Sequence, residues 1–169
     1  MIIKNAEFVT SVASADKILT DLKEIAVVGR SNVGKSSFIN FLTNNSKLAK
    51  TSSTPGHTRL INYFSINNEE FYLVDLPGYG YARVSKSEKA KWGALIEDYL
   101  LNSARLINVF IIVDIRHLPS VMDKQMVAFL THYSIPFTVI ATKSDKIKKA
   151  EISVSKRKIA AEFKMAEGN

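Results

Sequence analysis

The chain has 169 residues and no cysteine, with 46% hydrophobic and 23% charged residues. This length fits one compact domain, and the composition excludes collagen-like, wholly disordered and disulfide-stapled proteins. Without cysteine there is no zinc–thiolate site or cysteine nucleophile, and a reducing cytoplasm is the expected location. The longest apolar run, Val109 to Val113, is too short for a membrane helix, and the N-terminus does not resemble a secretory signal. We therefore expect a soluble protein without a membrane partner.

The net charge of +7 is concentrated near the end of the chain, where residues 143–164 carry 8 basic and 3 acidic side chains. A basic surface attracts polyanions through a sequence-independent electrostatic term, so RNA is one predicted partner. The alternative is that the lysines form the solvated face of a helix whose apolar side is Ile152, Ile159 and Phe163. The sequence alone leaves both interpretations open.

The first elements along the chain alternate between strand and helix signals. Ile25 to Gly29 is a short apolar run ending in glycine, which is typical of a strand buried on both faces. A helix is predicted from Lys35, and the polar residues 43–59 predict a long surface loop. Two runs, Leu60–Ile66 and Phe71–Asp75, flank four turn-forming residues and predict a hairpin.

The second half continues the alternation. Apolar residues spaced i, i+3, i+4 and i+7 predict an amphipathic helix between Ser85 and Ser103. Leu106–Val113 is a predicted strand, and Met122 and Met126 mark a following helix in which both are expected to fill the core. Pro136–Ala141 predicts a last buried strand before the lysine-rich helix. This alternation indicates an α/β domain with a largely parallel sheet.

Directly after the first predicted strand, Gly29 to Ser36 matches the complete G-x-x-x-x-G-K-[ST] phosphate-binding pattern. Gly29 and Gly34 allow the tight turn that points backbone N–H groups and a helix N-terminus at phosphate oxygens. Lys35 is placed for the β- and γ-phosphates, and Ser36 offers its hydroxyl to Mg²⁺. The strand before the motif and the helix after it provide the context that this mechanism requires.

Two further motifs complete a nucleotide site. Asp75-Leu76-Pro77-Gly78 follows a buried strand, so Asp75 is placed to hold a Mg²⁺ water and Gly78 to bring its N–H against a γ-phosphate. Thr142-Lys143-Ser144-Asp145 lies beyond another strand, at the edge where open α/β sheets bind ligands. A carboxylate at Asp145 can accept hydrogen bonds from guanine N1–H and the 2-amino group, which adenine cannot supply. The sequence therefore predicts GTP rather than ATP.

Four segments give the chain a more specific resemblance: Arg30–Val33, Thr54–Thr58, Tyr79–Ala82 and Asp114–His117. Together with the motifs above, they resemble the EngB (YsxC/YihA) family of ribosome-biogenesis GTPases, within the TrmE-Era-EngA-EngB-like P-loop GTPases. The resemblance implies an α/β, three-layer P-loop NTPase fold, mostly parallel with one antiparallel strand. It also implies a cytoplasmic, monomeric switch in assembly of the large ribosomal subunit, needed for cell division, which binds ribosomal RNA and no DNA.

The resemblance assigns residues to ligands. It implies Mg²⁺ contacts from Ser36 and Thr58 and through water from Asp75, a potassium contact from Asn32, and a first switch from Gly56 to Leu60. Lys35 and Thr58 are candidates for stabilising the transition state or positioning water. The predicted nucleotide-binding set is Gly29, Arg30, Ser31, Asn32, Val33, Gly34, Lys35, Ser36, Ser37, Gly56, His57, Thr58, Arg59, Leu60, Asp75, Leu76, Pro77, Gly78, Thr142, Lys143, Ser144 and Asp145.

The chain departs from family and GTPase patterns at three points. The family usually carries Arg or Lys at the position of His57. Tyr79 stands where Ras-type GTPases carry a water-positioning Gln, so we expect slow intrinsic hydrolysis unless K⁺ or the ribosome supplies the missing stabilisation. The family pattern also continues past the lysine-rich helix into one more strand and a final helix. We therefore expect residues 1–169 to form one G domain that lacks these last two elements.

Two other functions remain possible from the sequence. One is a P-loop ATPase or small-molecule kinase, against which Asp145 and the absence of a second substrate lid argue. The other is a module that binds ribosomal RNA and uses nucleotide only as a regulator. We expect a GTPase that converts GTP to GDP and phosphate.

Overall fold

The computed structural model of the protein describes residues 2–14, 17, 19, 21–49, 60–80 and 86–165, with the backbone alone for 86–92. The strands in this part of the chain are β1 (Ala6–Val12), β2 (Glu24–Gly29), β3 (Ile61–Ile66), β4 (Phe71–Asp75), β5 (Leu106–Asp114) and β6 (Phe137–Thr142). The helices are α1 (Lys35–Leu42), α2 (Lys86–Asn102), α3 (Val121–His132) and α4 (Lys149–Glu162), and a 3₁₀ turn spans Ser144–Lys146. None of these helices is long and apolar enough to cross a membrane.

The strands form one sheet in the order β1-β3-β4-β2-β5-β6. β3 runs antiparallel to both β1 and β4, and the pairs β2–β4, β2–β5 and β5–β6 are parallel. This confirms the predicted α/β fold with one antiparallel strand. The antiparallel strand arises from the hairpin, since only four residues, 67–70, connect β3 to β4, and a connection that short reverses the chain.

The two faces of the sheet bury separate apolar clusters, which gives three layers. Along β2, Ala26 and Val28 join the cluster that contains residues of α2, α3 and α4, whereas Val27 joins the cluster that contains Ile39 of α1. A strand covered on both faces needs apolar side chains in both directions, and this explains the continuous apolar run that predicted it. The phosphate-loop helix α1 thus lies on one face, and the other three helices lie on the opposite one.

One core prediction was wrong. Met126 packs against the larger cluster as expected, but the side chain of Met122 is 41% exposed. Met122 lies in the first turn of α3, where the buried position belongs to its neighbour Asp123, 4% exposed. The carboxylate of Asp123 forms a capping box with Ser120 and accepts a hydrogen bond from the buried hydroxyl of Tyr79. These polar contacts turn Asp123 toward the interior, and the neighbouring Met122 therefore faces outward.

Candidate functional site at the carboxyl edge of the sheet

The predicted motifs meet at one edge of the sheet because β2, β4, β5 and β6 run in the same direction. The phosphate loop follows β2, the segment from Leu76 to Gly78 follows β4, and the Thr142–Asp145 segment begins at the end of β6. Open α/β sheets place ligands outside the carboxyl ends of their strands. The topology therefore brings the predicted phosphate-binding and base-binding residues together.

The phosphate loop needs its two glycines for different reasons. A Cβ at Gly29 would lie 2.8 Å from the carbonyl oxygen of Ile112 on the neighbouring strand, so no side chain fits there. Gly34 has a φ of +104°, in the left-handed region that glycine adopts at little cost, and it is the N-cap of α1. Asn32 also has a positive φ, of 63°, which asparagine tolerates better than most residues. The loop thus delivers the chain into α1 at Lys35.

The ammonium of Lys35 forms an ion pair with the carboxylate of Asp75 across the site. The two side chains are only 10% and 5% exposed. Burying two charges is costly unless they satisfy each other, and this pair does so while joining the start of α1 to the end of β4. Lys35 and Asp75, predicted to meet the phosphates and the Mg²⁺ water, therefore lie at the same point.

The segment after β4 lies against the phosphate loop. A Cβ at Gly78 would come within 3.0 Å of Ser31 Oγ, and the Ser31 N–H donates to the Tyr79 carbonyl at 3.0 Å. The Tyr79 side chain is buried and its hydroxyl donates to Asp123, and burial raises the pKa of this hydroxyl so that it stays a neutral donor. Gly78 thus lies beside the phosphate loop, while the Tyr79 hydroxyl is bound to Asp123.

The base-reading segment is hydrogen-bonded to the phosphate loop. Thr142 Oγ1 donates to the carbonyl oxygens of Val33 at 2.7 Å and Val113 at 3.0 Å. Lys143, at a positive φ of 62°, reaches back so that its Nζ donates to the Asn32 carbonyl at 2.8 Å. The two loops therefore form one unit, held together by the first two residues of the Thr142–Asp145 motif.

A charged cluster behind Lys143 was not assigned a role by the sequence. Asp114, at the end of β5, accepts hydrogen bonds from Arg116 Nε and Nη2 at 2.9 and 2.7 Å, and it pairs with Lys143 Nζ at 2.9 Å. The Arg116 guanidinium, with the Lys143 ammonium, holds the pKa of Asp114 well below its usual range. The pattern Asp-x-Arg at a strand end is present in the sequence, but its link to Lys143 arises only when β5 and β6 pair. Asp114 thereby fixes the direction of Lys143.

The remaining predicted residues differ in how far they reach the site. Asp145 lies in the 3₁₀ turn with its carboxylate 70% exposed, where it pairs with Lys146 at 3.2 Å. Ser36 is partly buried in the first turn of α1, the next residue Ser37 is exposed, and Leu60 is 37% exposed. Four predicted residues lie outside the described part of the chain: Gly56, His57, Thr58 and Arg59.

Comparison with known proteins decides the family. The sequence model described as "50S ribosome-binding GTPase" matches residues 24–143. The probable GTP-binding protein EngB of Clostridium perfringens strain 13 is 57% identical over 160 residues, which cover 94% of this chain and 81% of that protein. The chain belongs to the EngB family of GTP-binding proteins. The EngB protein of Mycoplasma capricolum is 55% identical over 150 residues, covering 88% of this chain and 76% of its own length.

Solved structures agree with this assignment. The crystal structure of a probable GTP-binding protein EngB has a TM-score of 0.68 at 26% identity, covering 85% of this chain and 82% of its own. Aquifex aeolicus Era bound to GDP·AlF₄⁻ has a TM-score of 0.67 at 23% identity, covering 85% of this chain and 48% of its own, and it shows the shared fold alone. As a member of the EngB family, the chain is a GTPase that binds GTP and GDP. This removes the ATPase and kinase alternative.

Proposed function

We propose that GTP and GDP bind at the carboxyl edge of the sheet, with their phosphates on the loop from Gly29 to Ser36 and their base on Asp145. The observation that carries this proposal is the pair of bonds from Thr142 and Lys143 to phosphate-loop carbonyls. These bonds fix the predicted base reader relative to the phosphate loop, so one nucleotide can bridge both. Ser37, Leu76, Pro77, Ser144 and the residues from Gly56 to Leu60 complete the proposed contact set.

Asp145→Asn tests the base assignment. Asparagine can donate to the keto group that replaces the guanine 2-amino group in xanthine, so this variant should lose GTP affinity by at least about a hundredfold and gain xanthosine triphosphate affinity. The exposed Asp98 on α2 supplies a matched control as Asp98→Asn, which should leave both affinities unchanged. Unchanged GTP binding by Asp145→Asn, measured by calorimetry, would remove Asp145 from the base site.

Mg²⁺ is the metal that the site fits best. The donors proposed for it are oxygens: the Ser36 hydroxyl in the first turn of α1, and the Asp75 carboxylate, which contacts Lys35 at the start of that helix. In the part of the chain that the structure describes, no group of three or more His, Cys, Asp or Glu side chains could cage a metal ion. Mg²⁺ suits such a sparse site, since it keeps several waters and shares phosphate oxygens. Bound there with Thr58, it would neutralise charge on the β- and γ-phosphates.

We propose that intrinsic GTP hydrolysis is slow. The Tyr79 side chain, which replaces the Gln of Ras-type enzymes, is buried with its hydroxyl donating to Asp123, so that hydroxyl is not free to orient an attacking water. Lys35 and Thr58 are the proposed stabilising and water-positioning residues, and K⁺ near Asn32 is a proposed additional cation. Turnover should then be faster in K⁺ than in Na⁺, and Asn32→Gly, which preserves the positive φ, should erase the difference. Equal rates of wild-type turnover in the two salts would exclude potassium.

The proposed partner is the precursor of the large ribosomal subunit. The protein is proposed to act on it as a monomer in the cytoplasm. Because cells need ribosomes to divide, we also propose that the protein is required for normal cell division. The matched family's description as 50S ribosome-binding supports this partner. Five exposed cations on α4 and at the residue before it support contact with RNA phosphates. They are Lys148, Lys149, Lys156, Arg157 and Lys158.

Salt dependence tests this partner. Replacing these five cations, four on α4 and Lys148 before it, with Gln (the α4 variant) should weaken binding to isolated pre-50S particles. It should also reduce the slope of log affinity against log salt by about 0.7 to 0.9 for each phosphate that a removed cation had neutralised. A control with three exposed lysines replaced elsewhere, Lys4, Lys23 and Lys47, should keep the wild-type slope. An unchanged slope in the α4 variant would show that these cations are only a solvated helix face. Equal particle affinity with GTP, GDP or no nucleotide would instead favour an RNA-binding module whose nucleotide site only stabilises its docking surface.

A further inference from the structure

The peptide between Gly78 and Tyr79 is held against the phosphate loop by backbone hydrogen bonds. Beyond the end of β4, the Leu76 N–H donates to the Val27 carbonyl at 3.1 Å and the Tyr79 N–H to the Gly29 carbonyl at 3.3 Å. The Ser31 N–H donates to the Tyr79 carbonyl at 3.0 Å, so the segments that follow β2 and β4 continue side by side past the sheet. The close approach of Gly78 to Ser31 leaves this peptide little freedom to shift.

The side chain of Tyr79 anchors the same peptide to a different element. Its hydroxyl donates to Asp123 Oδ1 at 2.9 Å, and both residues are buried, at 9% and 4% exposed. The other oxygen, Asp123 Oδ2, accepts from the Ser120 backbone N–H at 2.8 Å and from the Ser120 hydroxyl at 2.7 Å. The Asp123 N–H donates back to Ser120 Oγ at 3.2 Å, which closes a capping box at the start of α3. One buried hydrogen bond therefore links the proposed γ-phosphate contact to the N-terminus of α3.

We propose that Tyr79 is a positioning residue for GTP: through Asp123 it holds the Gly78 N–H where a γ-phosphate would accept from it. This inference rests on the proposed nucleotide site. The bond acts on GTP and not on GDP, since GDP has no γ-phosphate for Gly78 to meet. It also makes the N-terminal turn of α3 respond to the nucleotide, because displacement of Gly78 must either move Asp123 or break the hydrogen bond.

Tyr79→Phe tests the role by removing only the hydroxyl. With Mg²⁺ and a non-hydrolysable GTP analogue, the dissociation constant should rise about two- to tenfold, the range that one hydrogen bond supplies, and the dissociation constant for GDP should stay within about twofold. The ratio of the two constants is the decisive quantity, because a general loss of stability would weaken both ligands together. An unchanged ratio in Tyr79→Phe would overturn the proposal.

Two controls separate this role from structural damage. Tyr99→Phe removes another buried tyrosine–carboxylate hydrogen bond, to Glu24 at the opposite edge of the sheet, and it should leave the ratio unchanged. Ser120→Ala removes the helix cap but leaves the Tyr79 to Asp123 bond in place, so it too should keep the ratio. A ratio shifted equally by Tyr79→Phe and Ser120→Ala would trace the effect to helix capping and contradict the proposal.

Hydrogen exchange in the wild-type protein provides a second measurement that needs no variant. Amides of residues 120–126 should exchange more slowly with the GTP analogue than with GDP, and Tyr79→Phe should lose this difference. Identical exchange of 120–126 in the two wild-type complexes would contradict the link. Failure of the wild-type protein to bind guanine nucleotides at this site would overturn the proposed site along with the inference, whereas normal binding with an unaltered ratio overturns the inference alone.

Discussion

Two buried carboxylates lie at opposite edges of the sheet, and their partners differ. At the carboxyl edge, Asp75 is paired with the ammonium of Lys35. At the amino edge, Glu24 begins β2 and, among the described side chains, accepts hydrogen bonds from two neutral hydroxyls, those of Tyr99 at 2.6 Å and Ser103 at 2.7 Å. Its second oxygen, Oε1, has no hydrogen-bond partner within the described residues.

This difference separates an exchangeable site from a fixed one. The charges of Lys35 and Asp75 can each be satisfied again by a phosphate and by a hydrated cation, so ligand binding can replace their ion pair at modest cost. Glu24 has no such substitute, and burial raises the pKa of its carboxyl despite the two hydroxyl donors. The Lys35–Asp75 pair therefore joins two segments of the proposed phosphate site through charges that a ligand could satisfy in its place, whereas the Tyr99 hydroxyl joins α2 to Glu24 at the start of β2.

The largest predicted effect comes from breaking the exchangeable pair. Lys35→Met should weaken both GTP and GDP by at least about a hundredfold, since the phosphates lose their charged partner. It should also lower the free energy of unfolding of the nucleotide-free protein by about 3 kcal/mol, because Asp75 is left as an unpaired buried charge. Calorimetric titration and urea unfolding measure the two effects.

A second substitution separates these two effects. Adding Asp75→Asn to Lys35→Met removes the unpaired charge, so most of the lost stability should return while nucleotide binding stays weakened. Stability that fails to return would mean that an unpaired Asp75 charge is not the cause of the loss. Recovered nucleotide binding would mean that Lys35 is not a phosphate ligand.

A smaller effect is expected from the bond between the two loops at the carboxyl edge. Thr142→Val keeps the side-chain shape but removes the hydroxyl that donates to the Val33 and Val113 carbonyls. GTP and GDP should both weaken by about tenfold, since one of the two bonds that fix the base reader to the phosphate loop is lost and only that from Lys143 remains. Thr138→Val on the exposed side of the same strand is the matched control and should change neither affinity. Affinities that stay at the wild-type level in Thr142→Val would argue against one bridging nucleotide.

The sequence predicted what depends on local pattern. The phosphate loop, its helix, the hairpin and five of the six strands follow from motif spacing and apolar periodicity, with bounds within about two residues. β1 was not predicted because buried and exposed residues do not alternate along it: Phe8 and Val9 are both exposed, at 55% and 43%. A bulge also interrupts its pairing with β3 between Phe8 and Thr10. An edge strand that is exposed and bulged in this way carries little periodic signal.

In the candidate site, too, the residues that local motifs specify were predicted, and those that depend on contacts between distant segments were not. Lys35, Asp75 and Thr142 were found from motifs whose chemistry requires those residues at that spacing. Asp114 and Asp123 were not assigned roles, since each acts on a residue that is distant in sequence and adjacent only in the fold. Asp123 did carry a local signal, the Ser-x-x-Asp capping pattern that begins at Ser120, but that pattern gives no hint of its second partner, Tyr79.

The smallest predicted effect concerns the fixed carboxylate and appears only in the dependence of stability on pH. Because the folded-state pKa of Glu24 is raised, the folded protein binds more protons than the unfolded chain between the ordinary pKa of 4.5 and the raised value. Wild-type stability from this group is therefore present at low pH and is lost as pH rises through that window. Glu24→Gln cannot titrate but keeps an oxygen that accepts from Tyr99 and Ser103, so its stability relative to wild type should improve from about pH 4 upward.

Urea unfolding of the nucleotide-free protein across that range measures this difference, and groups common to both proteins cancel. Glu97→Gln on the exposed surface of α2 is the matched control and should follow the wild-type curve. Nucleotide affinity of Glu24→Gln should equal that of wild type, since Glu24 lies at the edge opposite the phosphate loop. Parallel stability curves for Glu24→Gln and wild type would show that the carboxylate is charged at no cost. Reduced GTP affinity would show that the two edges are coupled, and the division between exchangeable and fixed carboxylates would then fail.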